Sequence, residues 1–146
     1  MMKRSIAGIL VLFLAAQVWA GEGEWLTSLP EAQARAKKEG KMILMDFTGS
    51  DWCPPCKALH KNVLSSKDFK AFAQDSLILV ELDFPARKQQ SAELKKANKK
   101  LKEQFKIKGF PTVVVLDKDG NKVFEQVGYG GDAKGYLAKL KKALKK

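Results

Sequence analysis

The sequence holds two cysteines, Cys53 and Cys56, in the run Trp52-Cys53-Pro54-Pro55-Cys56-Lys57. Two thiols separated by two residues can close on each other and open again. A thiolate attacks a disulfide to give a mixed disulfide, and a second thiol within reach resolves it. The pair follows an apolar run, Met42 to Phe47, and a turn, Gly49-Ser50-Asp51. Pro54 and Pro55 suit the first turn of a helix, where missing N–H groups cost nothing. The N-terminus of that helix carries partial positive charge and favours a thiolate. This layout makes Cys53, at an exposed helix start, the attacking thiol and Cys56, one turn in, the buried resolving thiol. Two bland readings compete with it. One is half of a zinc site, with His60 as the only spare ligand nearby; two cysteines alone do not complete a four-ligand site. The other is a small structural disulfide, which would add little because it closes a very short loop.

Other residues gather around the pair. Asp46 interrupts an apolar strand, and a buried carboxylate without a partner is costly and has a raised pKa. A lysine such as Lys70, or water, is the plain alternative for its partner. Trp52 is expected as a partly exposed ring flanking the thiol, limiting access and offering contact area. His60 lies four and seven positions after the cysteines, on their helical face, where it could tune the thiolate, bind metal with the sulfurs, or simply face water.

The remaining pattern supplies a scaffold. Ser28 and Glu31 stand at capping-box spacing before a helix that ends at Gly40. Met42–Phe47 and Leu77–Leu82 read as buried strands. The helix of the cysteines should break at Ser65-Ser66, ahead of a second helical piece over Lys67–Ala73. From Ser91 to Phe105, Leu94, Ala97, Leu101 and Phe105 recur three or four apart, one face of a helix with lysines opposite. Thr112–Leu116 and Lys122–Val127 form a hairpin around Asp117-Lys118-Asp119-Gly120-Asn121. A last helix, Asp132 to Lys145, turns Tyr136, Leu137, Leu140 and Leu144 inward. Strands joined by a helix run parallel through a right-handed crossover. The expected fold is therefore α/β: a mixed four-stranded sheet with helices on both faces and an extra N-terminal helix.

With this element order, Trp-Cys-Pro-Pro-Cys-Lys after Asp46-Phe47-Thr48-Gly49-Ser50 resembles the thioredoxin superfamily, and within it the exported thioredoxin-like proteins. The likeness covers roughly Trp25 to Lys146. The pentapeptide also resembles the tryparedoxin and nucleoredoxin motif. Gly109-Phe110-Pro111-Thr112, just before a strand, resembles the family's proline loop. The resemblance implies a cis Phe110–Pro111 bond lying against the cysteines, with residue 110 offering its backbone to a substrate segment as a short added strand. It also implies that Asp46 accepts the proton of Cys56, although seven positions separate Asp46 from Cys53 where familiar thioredoxins have six. Gly128-Tyr129-Gly130 resembles the glycine-bearing loop that walls the family's substrate groove. No metal or organic cofactor is needed for such chemistry.

Lys3, Arg4 and the uncharged run Ile6–Ala16, followed by Val18-Trp19-Ala20, have the layout of a secretory signal peptide. The run is too short to span a bilayer. Residues 1–20 are thus expected to be a signal peptide and 21–146 one domain, exported to the periplasm or another extracytoplasmic space. There 27 Lys+Arg against 16 Asp+Glu, a net charge of +11, mark solvated helix faces over Lys95–Lys108 and Lys134–Lys146 and no nucleic-acid partner. The leading function is a reductase of protein disulfides, acting as a monomer and supplied by a membrane thiol-electron donor. The alternatives are a disulfide oxidant or isomerase, and a metal-handling module built on the cysteines and His60.

Overall fold

The computed structural model describes residues 23–145; the expected signal peptide lies outside the described residues. The elements run β1 (Trp25–Leu26), α1 (Leu29–Glu39), β2 (Met42–Thr48), α2 (Pro54–Leu59), a π-helical turn (His60–Leu64), α3 (Lys67–Ser76), β3 (Leu77–Asp83), α4 (Ala92–Gln104), β4 (Thr112–Leu116), β5 (Lys122–Val127) and α5 (Ala133–Leu144). The sheet has five strands in the order β1-β3-β2-β4-β5, not the expected four. The added strand is two residues long: Trp25 and Leu26 pair in parallel with Leu79 and Val80. A pair that short carries no period-two signal, so the sequence pattern does not mark it.

Local chemistry explains the boundaries. The Glu31 amide donates to Ser28 Oγ at 3.4 Å at the start of α1, and Gly40 ends it at φ 66°, a left-handed conformation that glycine adopts without cost. Ser66 caps α3 and Ser91 caps α4 through their hydroxyls. β2 and β3 are parallel, β2 and β4 antiparallel, and β4 and β5 form the hairpin, with a register shift at Val115/Leu116. β5 is an edge strand that exposes Val123 and Val127 beside Lys122 and Glu125, which are ion-paired.

Alternation along β2 divides the interior in two. Ile43, Met45 and Phe47 pack with Leu29, Ala32 and Ala36 of α1 and with Leu101 and Phe105. Leu44 packs on the other face with Leu59, Val63, Phe69, Tyr136, Leu137 and Leu140. Helices thus cover both faces, as expected. α4 departs from the reading. Ala97 is exposed and Asn98 is buried in its place, its amide donating to the Asp83 carbonyl at 3.1 Å, while Leu94, Leu101 and Phe105 are partly buried as expected.

Candidate active site

β2 ends at Thr48 and the chain must turn sharply to begin α2. The Cys53 amide donates to the Gly49 carbonyl at 2.9 Å, and the Trp52 amide to the same oxygen at 3.3 Å. Gly49 has no room for a side chain: a Cβ there would run into the Trp52 ring. Cys53 is then the N-cap of α2, Pro54 and Pro55 occupy its first turn, and Lys57 N–H donates to the Cys53 carbonyl at 3.1 Å. Cys53 and Cys56 are joined as a disulfide, with Cα atoms 5.3 Å apart. Cys53 is not the exposed residue that its helix-start position suggests. It is 3% accessible, as little as Cys56, because its sulfur is tied to a buried one.

Phe110–Pro111 is cis, as the proline-loop resemblance implies. The Gly128 amide donates to the Pro111 carbonyl at 2.8 Å, which brings the Gly128-Tyr129 loop to the proline. On the other side Trp52, 45% exposed, meets the edge of Phe110 at 5.9 Å between ring centroids, and Phe84 lies 5.2 Å from Phe110. Of the residues proposed from sequence, Trp52 thus meets Phe110 and Gly128 meets Pro111, whereas Tyr129 turns its ring onto Tyr136 of α5, 5.8 Å between centroids.

Asp46 is 3% exposed, and its Oδ1 has no hydrogen-bond partner. No lysine pairs with it among the described residues; the ion pairs lie elsewhere. Its side chain opens instead on a cleft of about 270 Å³ that it shares with Cys56, Lys57, His60, Glu81 and Lys88. Burial, and then the charges of Glu81 and Asp83, push its pKa up to about 7. A carboxyl poised there can take or return a proton near neutral pH. His60 is exposed at this cleft, and among the described residues no three His, Cys, Asp or Glu side chains converge to hold a metal ion.

Three features escaped the sequence reading. Asp51 accepts from the backbone amides of Ala86, Arg87 and Lys88 at 2.9, 2.7 and 2.9 Å, and those bonds hold its pKa down to about 2. Asp83 takes the Ser50 amide at 2.9 Å and the Ser50 hydroxyl at 2.5 Å. Trp52 Nε1 donates to the Phe84 carbonyl at 2.8 Å. Together these bonds strap the loop after β3 to the turn before the cysteines. No motif announces such a strap, since its partners lie more than thirty positions apart. Asp51→Ala is expected to free the three amides, so that Ala86–Lys88 exchange with deuterium faster while the amides of β2 and β4 stay protected. Equal protection in both proteins would show the strap to be dispensable.

Comparison with known proteins agrees with this geometry. Residues 29–144 match the thioredoxin-like domain family. The disulfide bond reductase DsbH of Chlamydia pneumoniae is 39% identical over 118 residues, covering 81% of this chain and 71% of the relative. A solved DsbH oxidoreductase superposes with a TM-score of 0.78 at 36% identity over 92% of each chain. The thioredoxin-related protein DsbJ of the same organism is 28% identical over 108 residues, 74% of this chain, but the chain spans only 31% of its length. The chain belongs to the thioredoxin-like domain family and is a thiol–disulfide oxidoreductase.

Proposed function

We propose that the chain is an exported reductase of protein disulfides, with residues 1–20 as its signal peptide and 21–146 as its working domain. The observation that carries the mechanism is a single arrangement: Cys53 at a helix N-cap, Cys56 bonded to it, and unpartnered Asp46 in the same cleft as Cys56. In the reduced protein the Cys53 thiolate attacks one sulfur of a client disulfide, and the other client sulfur leaves as a thiolate. Asp46 then takes the Cys56 proton. The Cys56 sulfur attacks Cys53, and the client's second sulfur departs. Two electrons have moved to the client, and the Cys53–Cys56 disulfide remains. Trp52, Phe110 and Pro111, with Gly128 and Tyr129, hold the client segment beside the sulfurs. A membrane thiol donor restores the dithiol, because thiols outside the cytosol tend to oxidise.

Similarity to a protein named as a disulfide bond reductase supports this direction of electron flow. So does the plain connection from β3 to β4, which holds one helix, α4, and no helical insertion of the kind carried by the oxidant families. The direction is tested by equilibrating the protein with glutathione or dithiothreitol redox buffers. A reduction potential near that of thioredoxin, about −270 mV, is expected; a value near −120 mV would make the protein an oxidant.

A further inference from the structure

Asp46 is not the only acid set into an apolar strand. Leu77–Asp83 carries Glu81, and the parallel register of β2 with β3 puts Glu81 directly beside Asp46. Registered residues on neighbouring strands face the same way, their Cβ atoms about 5 Å apart. Both side chains open on the cleft that reaches Cys56. Glu81 is half-buried and belongs to no ion pair among the described residues. Two facing carboxyls that cannot both ionise cheaply share a proton. The cleft is also large enough for water between them.

We propose that Glu81 is the second carboxyl of a proton path, receiving through cleft water the proton that Asp46 takes from Cys56 and passing it to solvent at the His60–Lys88 rim. This rests on the reading of Asp46 as the proton acceptor of Cys56. Glu81 acts through Asp46 and touches no reacting sulfur, so it is a positioning residue. During client reduction the proton leaves the Cys56 thiol for Asp46, the Cys56–Cys53 bond forms, and the bond from Cys53 to the client breaks. Asp46 must lose that proton before it can serve again. When the thiol donor reopens the enzyme disulfide, Cys56 leaves as a thiolate and the proton returns by the same path.

The groups facing the pair set its charge balance. Lys57 and the thiol of Cys56 come from α2, His60 from the π-helical turn and Lys88 from the strapped loop. Asp83 adds negative charge from β3, and the Tyr136 hydroxyl lies within electrostatic reach of Asp46 on α5. Burial and Asp83 hold Glu81 above the usual carboxylate range, against the pull of His60 and Lys88. An ionised Glu81 in turn makes Asp46 the stronger base.

The test is the pH dependence of the resolving step. Reduced protein is mixed rapidly with an aromatic disulfide whose released thiol is coloured, from pH 5 to pH 9. The first release reports attack by Cys53 and the second reports resolution by Cys56. Glu81→Gln should move the midpoint of the second phase down by about one pH unit and slow its alkaline plateau several-fold. Glu81→Asp, which keeps the carboxylate, should lie near the parent, whereas a merely structural role would make the two variants alike. A midpoint unmoved in Glu81→Gln but lost in Asp46→Asn overturns the role of Glu81 alone. A midpoint retained in Asp46→Asn overturns the Asp46 reading and the Glu81 path with it.

Discussion

Cys53→Ser is expected to abolish reduction of insulin disulfides, leaving only the rate of the small thiols in the assay. Cys56→Ser is expected to accumulate mixed disulfides with its clients. Serine keeps the size of the residue but cannot form the sulfur–sulfur bond on which the exchange depends. The two variants fail at different steps. Without Cys53 nothing attacks, because Cys56 lies inside α2 and not at its N-cap, where the helix end favours a thiolate. Without Cys56 the attack proceeds and the adduct has no resolving thiol. Non-reducing gels of the two variants after exposure to a client-rich extract read the difference directly. Full activity in Cys53→Ser, or covalent adducts in both variants alike, would reverse the assigned order of the thiols.

Asp46→Asn is expected to trade speed for stability. The carboxyl's pKa is about 7 in the fold against 3.8 unfolded. Between those values the folded chain binds more protons than the unfolded one, so stability falls as pH rises from about 4 to about 7 and is level above that. Each unit is about 1.4 kcal/mol, which puts the burden of the ionised group at on the order of 4 kcal/mol at pH 8. Asparagine carries no charge but must bury its own amide. The net gain expected at pH 8 is therefore about 2–3 kcal/mol, and below pH 4, where the parent carboxyl is neutral, it reverses to a loss of about 1–2 kcal/mol left by burying the amide. Urea unfolding of the oxidised protein at pH 4 and pH 8 measures it. The same change removes the proposed proton acceptor of Cys56 and should slow resolution about 10²-fold near neutrality. A variant that is no more stable at pH 8 than the parent would mean that Asp46 is solvated in the folded protein.

The residues proposed to carry this chemistry stand out in the sequence because each breaks a local rule. Cys53 and Cys56 stand with prolines at a strand-to-helix junction. Asp46 is an acid in an apolar strand, and Pro111 precedes a run of valines. Each violation has a physical cost that a single stretch of sequence displays. Glu81 breaks the same rule as Asp46, and its spacing could have flagged it; what was missing was the register that seats it next to Asp46. The strap formed by Asp51 and Asp83 is different in kind. Aspartate in a turn is ordinary, and only the folded chain shows that its partners are the amides of a loop beyond β3. On α4 a single position differs from the expected face, Asn98 in place of Ala97, for a related reason. Leucine spacing marks the helix and its apolar side, but the bond from Asn98 to Asp83 joins residues fifteen positions apart and leaves no local pattern.

The borders of the sheet have a bearing on how such a protein can handle its clients. A chain whose disulfides are being exchanged is only partly stapled, and its loose segments seek unpaired backbone. One border is β1, just two residues long, and the other is β5, where a register shift twists the pairing and Lys122 and Glu125 place charges along the rim. Short, charged and irregular borders resist edge-to-edge pairing. Strand addition is thereby discouraged along both borders of the sheet. Such borders leave a partly unfolded partner little edge to pair with, so that thiol–disulfide exchange need not end in co-aggregation.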